Sequence, residues 1–353
     1  MEIAKIDNNF SVNEVKIDGD KQVYTLPSKE ISLYGIVFEE EIGAFQRMPS
    51  SVAKQVSYNV GVLSSTTAGA RARFSTNASE MVLSVKYKYL AHMSNMTRIG
   101  ASGFTLMIES EEEGNKRAGH FAPLNDDLTG FTQSIKLSND KVRDYTLYFP
   151  LYNDYIEEIK IAFNKDAIVL PGRKYCNDLP ILYYGSSITQ GGCASRSDNC
   201  YQGYVSKWHN VDYINLGFSG SAKGEDVMVE YLASIKSKVF VCDYDYNAPN
   251  AEHLRKTHYK VYKTYREANP DTPIVLMSMV NLSLDTFERR EIIKNTYKKA
   301  KKEGDKNVYF IDGSKIFGKH DRENCTVDGC HPNDLGFYRM AKVIDRTLAP
   351  LLK

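Results

Sequence analysis

Long apolar runs are missing from this chain. No stretch is long and apolar enough to cross a bilayer, so we expect no membrane-spanning helix and no membrane partner. The N-terminus, MEIAKIDNNFSVNEVKIDGD, carries charges throughout and lacks the apolar segment of a secretory signal. The sequence therefore predicts a cytoplasmic protein.

An excess of charge of one sign is also missing. The 45 Lys and Arg residues face 44 Asp and Glu residues, which leaves a net charge of +1. A nucleic-acid partner normally requires a basic excess, so we expect none. The most basic segment, ERREIIKNTYKKAKKEGDK, contains apolar positions suited to packing and predicts a helix with one solvated face.

Cysteine is scarce, with six residues in 353, and no small disulfide scaffold is indicated. Without an export signal, these cysteines are expected to be reduced thiols. They are Cys176, Cys193, Cys200, Cys242, Cys325 and Cys330. Cys325 and Cys330 lack C-x-x-C spacing and no second pair completes a metal site.

The length exceeds that of one ordinary core and predicts two domains, 1–175 and 176–353. Between about Tyr34 and Phe163, short β-rich runs with alternating apolar residues predict an N-terminal β-sandwich of the jelly-roll kind. The runs are VSYNVGVL, ARARFST, EMVLSVKYKYL, SGFTLMIES, DYTLYFPL and IEEIKIAF.

After Pro180, apolar strands alternate with amphipathic helices. The strands are ILYYG, DYINLG, VFVCDY, PIVLMSMV and NVYFID. The intervening helices are expected at 202–208, 226–235, 252–267 and 287–302, with a last helix from Asn333. Five β/α units predict a doubly wound, flavodoxin-like parallel sheet, in which ligands bind beyond the carboxyl ends of the strands.

Candidate catalytic groups follow these strand ends. Ser187 stands in GSSITQG directly after the first strand, at a position suited to a nucleophile. Asp328 and His331 form a D-x-x-H motif before the last helix, and such a pair can orient a histidine as the base of a serine. The loops NLGFSGS and DYDYNAP offer a close backbone N–H and an amide side chain as oxyanion donors. Each motif alone is typical of an ordinary turn.

Taken in order, these four blocks resemble the SGNH, or GDSL, hydrolases. The resemblance implies that Ser187 is the nucleophile and that His331 is its base, held by Asp328. It also implies that Ser187, Gly220 and Asn247 form the oxyanion hole. Ser186 stands where the family usually has the aspartate of Gly-Asp-Ser. No metal or organic cofactor is implied.

Longer strings resemble carbohydrate deacetylases of this superfamily, and the first half is similar to the β-rich domain that precedes the hydrolase domain in some members. The strings are GSSITQGGCASR, NLGFSGSAKGE and DYDYNAPNAEHL, with SGFTLM and FPLYN in the first half. The segment around Gly103 departs from the Gly-x-Asp-Leu-Tyr expected there.

Three further residues are candidate substrate contacts. Residues 186–195 carry Ser187, and we call them the nucleophile loop. Arg196 and Tyr201 follow this loop, and His92 lies in a loop of the β domain that can overhang the site. A solvated arginine and a core-facing tyrosine are the alternatives. For the other histidines, a structural role is the simpler interpretation. They are His120, His209, His253, His258 and His320.

The sequence thus predicts a serine esterase that forms an acyl-enzyme on Ser187 and removes small acyl groups, above all O-acetyl groups of carbohydrates. A lysophospholipase or thioesterase is one alternative. A non-catalytic carbohydrate-binding protein on the same fold is another, and a metal enzyme with Asp328 and His331 as ligands is a third. The oligomeric state stays open.

Overall fold

The computed structural model describes most of the chain. The described residues are 6–7, 14–112, 114–124, 129–138, 141–281 and 284–353. Within them, no helix combines the length and apolar character that a membrane crossing requires. All six cysteines are free in the structure. The cytoplasmic location stays a prediction.

The first half is built from antiparallel strands. They are β1 (Lys21–Thr25), β2 (Ser32–Tyr34), β3 (Val37–Glu39), β4 (Ala44–Gln46), β5 (Arg71–Thr76), β6 (Glu80–Tyr89), β7 (Phe104–Glu109), β8 (Lys116–Phe121), β9 (Gly130–Lys136), β10 (Arg143–Tyr148), β11 (Asp154–Asn164) and β12 (Val169–Pro171). Three short helices interrupt them: α1 (Ser50–Val56), α2 (Tyr58–Leu63) and α3 (Arg98–Ser102).

These strands form two main sheets around one core. The first has the order β1-β11-β6-β9, and the second has the order β12-β5-β10-β7-β8 with β2 also paired to β5. Alternation along the strands directs apolar side chains such as Leu83, Phe104 and Ile161 inward, where they are fully buried. The strand-rich N-terminal domain predicted from the sequence is confirmed.

The second half is an alternation of parallel strands and helices. Its strands are β13 (Ile181–Gly185), β14 (Tyr213–Gly217), β15 (Val239–Asp243), β16 (Ile274–Met277) and β17 (Val308–Ile311). Its helices are α4 (Ser187–Gln190), α5 (Tyr201–His209), α6 (Asp226–Ser234), α7 (Ala251–Ala268), α8 (Leu284–Lys302) and α9 (Asp334–Leu348).

The five strands form one parallel sheet in the order β14-β13-β15-β16-β17. Apolar residues cover both of its faces, because helices pack on each side. The predicted doubly wound sheet is therefore confirmed. The order reverses at β13, so the loops after β13, β14 and β15 meet at the switch point where such folds bind ligands. The domain boundary at 175/176 stays a prediction.

One predicted strand is wrong. The segment VSYNVGVL, residues 56–63, is helical and contains the end of α1 and all of α2. Its valines and tyrosine favour strands, but Ser57 caps α2 by accepting a hydrogen bond from the Val60 N–H. Burial of Val60 against the helices of the second half then stabilises the helix, so tertiary packing overrides propensity.

Two buried arginines of the first half donate hydrogen bonds to backbone oxygens of the second half. Buried Arg47 donates to the carbonyl oxygens of Asn215 and Gly217 at 3.0 and 2.7 Å, and thereby fixes the end of β14. Buried Arg71 pairs with Asp212 and donates to the Tyr213 carbonyl oxygen at 2.9 Å. Both ends of β14 are thus held by arginines of the first half.

Candidate active site

Ser187 lies at the end of β13, in a turn with very little free space. Gly185 closes the strand, and a Cβ there would approach Thr189 Oγ1 to 2.1 Å. Ser186 caps the short helix α4 by accepting a hydrogen bond from the Ile188 N–H. The helix ends at Gly191 with φ of +119°, a conformation that favours glycine. This turn holds the Ser187 hydroxyl at the rim of the sheet, half-buried.

The D-x-x-H loop brings His331 to this serine. His331 Nε2 lies 2.9 Å from Ser187 Oγ, and His331 Nδ1 lies 2.8 Å from Asp328 Oδ2. The loop is fixed to the nucleophile loop because the Cys193 N–H donates to the Pro332 carbonyl oxygen at 2.9 Å. The structure therefore brings Ser187 next to the Asp328–His331 pair, which lies more than 140 positions further along the sequence.

The Asp328 carboxylate is held ionised. Burial by itself would raise its pKa, but hydrogen bonds from His331, Asn95 and the Cys330 N–H outweigh burial and hold the pKa well below the usual range. An ionised Asp328 fixes the proton of His331 on Nδ1 and leaves Nε2 to accept from Ser187.

The two candidate oxyanion donors, Gly220 and Asn247, lie on the neighbouring loops. Gly220 has φ of +65° and is exposed, with no atom within 4 Å of the place of a Cβ. Asn247 Oδ1 accepts a hydrogen bond from the Ala222 N–H at 3.3 Å, which aims Nδ2 away from Ala222. Among the described residues, neither the Gly220 N–H nor Asn247 Nδ2 has an acceptor. Both can therefore donate to a substrate oxygen.

The first half supplies two groups that sequence reasoning missed. Asn95 Nδ2 donates to Asp328 Oδ2 at 2.8 Å. Tyr152 Oη lies 2.9 Å from Ser219 Oγ, and Ser219 is in turn held by the side-chain oxygen of Gln190 through its N–H at 3.0 Å. The only sequence signal was the family-like string FPLYN, which contains Tyr152.

The three predicted substrate contacts differ in burial and in hydrogen bonding. Tyr201 is fully buried and its hydroxyl donates to Thr189 Oγ1 at 3.2 Å, so it supports the nucleophile turn from below and the prediction of a substrate contact is wrong. Arg196 is half-buried, and its guanidinium donates to Asp198 and Asn199. His92 is exposed in the loop between β6 and α3, and its role as a substrate contact stays a prediction.

Two cavities border these elements. One of about 620 Å³ is lined by both halves and includes Asn95, Cys193 and Asn333 beside the triad. The other, of about 830 Å³, runs along α5 between the halves and includes Arg196 and Trp208. Asp334 lines both cavities. Neither lining includes Ser187, His331, Gly220 or Asn247.

Cys193 adds a third candidate metal ligand, which the sequence did not reveal. Its sulfur, a carboxylate oxygen of Asp328 and a ring nitrogen of His331 lie within 4.8 Å of one another. Burial raises the pKa of the Cys193 thiol to about 11, whereas a metal ligand must be a thiolate. Both nitrogens of His331 already have partners within the triad. The donor set fits proton transfer better than metal binding.

Two buried carboxyls lie beneath the site. Burial raises the pKa of Asp243 well above its usual range, and the neighbouring Asp245 raises it further. Burial likewise raises the pKa of Asp245 to about 7. Asp245 Oδ2 accepts from the Met279 N–H at 2.9 Å, and Oδ1 has no partner among the described residues. The fold therefore favours protonated carboxyls here.

Asp245→Asn is expected to stabilise the protein at pH 8 and to change little at pH 4. The fold raises the pKa of Asp245 from 3.8, so the stability that this carboxyl contributes is present below pH 4 and is lost as the pH rises towards 7. Asparagine mimics the protonated form and still accepts from Met279. Urea unfolding should show a gain on the order of a few kcal/mol at pH 8. Equal destabilisation at both pH values would contradict the assignment.

Comparisons with known proteins agree with this geometry. The model of the GDSL-like lipase/acylhydrolase family matches residues 178–349, and the model of the N-terminus of SGNH-hydrolase-type esterases matches residues 23–169. A search of curated proteins finds no significant match. The second family match covers the half in which the Gly-x-Asp-Leu-Tyr motif is altered, so the predicted similarity there is confirmed.

Several solved structures have the same fold over nearly the whole chain. A candidate GDSL-like lipase from Bacteroides ovatus ATCC 8483 is 28% identical, with 94% of this chain and 98% of that chain covered and a TM-score of 0.82. The salicylyl-acyltransferase SsfX3 of a tetracycline biosynthetic pathway is 16% identical, with 95% and 98% covered and a TM-score of 0.77. A family two carbohydrate esterase from Clostridium thermocellum is 14% identical, with 91% and 99% covered and a TM-score of 0.63. The chain belongs to the SGNH (GDSL-type) hydrolases and is an ester-hydrolysing serine hydrolase.

Proposed function

We propose that this protein removes small acyl groups, above all O-acetyl groups of carbohydrates, through an acyl-enzyme on Ser187. The observation that carries the proposal is the continuous chain of hydrogen bonds from Ser187 Oγ to His331 at 2.9 Å and from His331 to Asp328 at 2.8 Å. A serine hydroxyl becomes a competent nucleophile when such a pair accepts its proton.

Acylation begins as Ser187 Oγ attacks the ester carbonyl carbon while His331 Nε2 takes the hydroxyl proton. The carbonyl oxygen becomes an oxyanion that accepts hydrogen bonds from the Ser187 and Gly220 N–H groups and from Asn247 Nδ2. Asp328 stabilises the imidazolium that forms. His331 then gives its proton to the alcohol oxygen as the C–O bond breaks, and the free alcohol leaves.

Deacylation repeats these steps with water. His331 Nε2 takes a proton from water as the water oxygen attacks the acyl carbon, and the same donors hold the second oxyanion. Collapse breaks the bond to Ser187 Oγ, which receives the proton from His331. The carboxylic acid and the free serine are the products, and the cycle requires no cofactor.

The choice of a short acyl group and a sugar alcohol rests on the motif strings of the sequence and on a solved carbohydrate esterase of the same fold. Behind the nucleophile loop, a Cβ at Gly191 would approach Leu151 to 2.8 Å, and one at Gly192 would approach Tyr152 Oη to 2.6 Å. This tight packing fixes the backbone that carries Ser187. The lining of the 620 Å³ cavity is mixed: it has polar side chains such as Ser94 and Asn95 and apolar ones such as Met96, Val327 and Leu335. The similarity to a carbohydrate esterase supports the same substrate class.

The proposal is tested by acetate release from a panel of acetylated oligosaccharides, beside acetyl and long-chain aryl esters, with and without a chelator. We expect chelator-insensitive turnover that prefers acetyl groups on sugars. Preference for long-chain esters or acyl thioesters would favour the lysophospholipase or thioesterase alternative. Sugar binding without turnover of any ester would favour a binding protein, and loss of turnover with the chelator would favour a metal enzyme.

Asn247→Ala is expected to lower kcat by about 10²–10³-fold with little change in KM, because the amide donates to an oxygen that becomes charged only in the transition state. Steady-state hydrolysis of an aryl acetate measures both constants. Asn250→Ala is a control in the same loop region, since Asn250 caps α7 through the His253 N–H and is exposed. A rise in KM at unchanged kcat would contradict the oxyanion role.

A further inference from the structure

We propose that Asn95, a residue of the N-terminal domain, is a positioning residue for the triad carboxylate and makes that domain a working part of the active site. The inference rests on the proposed function of Ser187, His331 and Asp328. Asn95 Nδ2 donates to Asp328 Oδ2 at 2.8 Å, across 233 positions of sequence. It contacts neither Ser187 nor the oxyanion donors among the described contacts, and therefore acts through Asp328.

The donors around Asp328 divide between its two oxygens. Oδ1 accepts from the backbone N–H groups of Cys330 and His331 at 3.0 and 2.8 Å, which are local contacts within the loop. Oδ2 accepts from His331 Nδ1 and from Asn95. The bond from Asn95 is thus the one side-chain contact, among the described residues, that fixes Oδ2 from outside the loop. Without it, rotation of the carboxylate is opposed on that side only by the imidazole that it must orient.

The segment that carries Asn95 is itself fixed at both ends. We call residues 90–97, between β6 and α3, the Asn95 loop. At its start, the Ala91 N–H donates to Asn153 Oδ1 at 3.1 Å inside the N-terminal domain. At its end, Thr97 Oγ1 donates to the Ser195 carbonyl oxygen at 2.6 Å, in the nucleophile loop of the other domain. The Asn95 side chain is therefore presented by a loop that both domains hold.

The helix after the Asn95 loop strengthens this attachment. Thr97 caps α3 by accepting from the Gly100 N–H at 3.1 Å. Gly100 packs so closely on the nucleophile loop that a Cβ would approach the Ala194 carbonyl oxygen to 2.1 Å. Only glycine permits this contact. The distance from Asn95 to Asp328 is therefore set by direct backbone packing between the two domains.

The physical consequence concerns the transition state. Asp328 stabilises His331 most when the imidazole is charged, which happens as Ser187 attacks. A carboxylate that rotates away stabilises the charged imidazole less. The affinity of the enzyme for the uncharged ester is unaffected. Loss of the Asn95 bond should therefore lower kcat and leave KM unchanged. A hydrogen bond to a charged group has the strength for an effect of about tenfold.

The test uses the full chain and hydrolysis of an aryl acetate. Asn95→Ala is expected to lower kcat about tenfold at constant KM. Asn95→Asp should lower it further at neutral pH, because a carboxylate would then face the Asp328 carboxylate. The matched control is Asn115→Ala. Asn115 also joins the domains, through Nδ2 and the Lys207 carbonyl oxygen at 3.0 Å, but it lies away from the triad.

A double-mutant cycle with Asp328→Ala separates positioning from general damage to the fold. If Asn95 acts through Asp328, Asn95→Ala should change kcat less than about twofold when Asp328 is already removed. A wild-type kcat in Asn95→Ala, or the same tenfold loss with and without Asp328, would overturn the inference. An inactive wild-type protein would instead reject the proposed function. Thermal unfolding of each variant verifies that the fold is retained.

Discussion

Ser187→Ala is expected to reduce ester hydrolysis by at least about 10⁴-fold, to the residual rate that substrate binding and the remaining oxyanion donors support. The hydroxyl at 2.9 Å from His331 Nε2 is the only nucleophile in the described chain of hydrogen bonds that ends at Asp328. Alanine removes the atom that bonds to the acyl carbon and leaves the oxyanion donors in place. Substrate binding should therefore survive while turnover is lost.

The measurement is kcat for an aryl acetate and for an acetylated oligosaccharide, with Ser234→Ala as the matched serine control. Ser234 ends α6, is exposed and donates to the Tyr231 carbonyl oxygen. Wild-type activity in the control and none in Ser187→Ala is the expected pair of results. A Ser187→Ala variant that keeps more than about a tenth of wild-type kcat would reject Ser187 as the nucleophile.

Asp328→Asn is expected to reduce kcat by about 10⁴-fold. The two backbone N–H groups that donate to Oδ1 should keep the asparagine carbonyl oxygen at that place. The new amide nitrogen then faces His331 Nδ1 and donates to it, so the imidazole proton moves to Nε2, opposite Ser187 Oγ. That tautomer cannot accept the serine proton, although the geometry is preserved.

Asp226→Asn serves as the matched control, because Asp226 is exposed and its partner is Lys260 at 2.6 Å. The pH dependence of kcat/KM gives a second readout. Activity of Asp328→Asn is expected to stay low at pH 7 and to recover in part at high pH, where hydroxide can replace the general base. Full activity at pH 7 would show that Asp328 does not set the tautomer of His331.

Much of the fold could be predicted because the spacing of apolar residues along the chain indicates which faces of a strand or helix are buried. Strands of the parallel sheet such as ILYYG and VFVCD are buried on both faces and read as continuous apolar runs. The helices between them read as amphipathic. Residues 56–63 could not be predicted in this way, because β-branched and aromatic residues suit a strand until packing against a neighbouring domain is known.

The site could be predicted where it depends on the ends of strands and on one short loop. Ser187 and Asn247 follow strands directly, and Asp328 and His331 share four residues of chain, so local sequence places them. Asn95 could not be predicted, since a polar residue in a loop is ordinary until the two domains are packed together. Tyr201 was a candidate substrate contact with a core position as the alternative, because a tyrosine suits either a pocket or a core.

The most direct test of the account is the identity of the residue that acts as the nucleophile. The intact protein is treated with a fluorophosphonate, which traps activated serines, and the peptides are analysed by mass spectrometry. We expect one adduct, on the peptide that carries Ser187, and its loss in His331→Ala, where the serine has no base. No adduct on the wild-type protein, or an adduct on another residue that persists in His331→Ala, would contradict a nucleophilic Ser187.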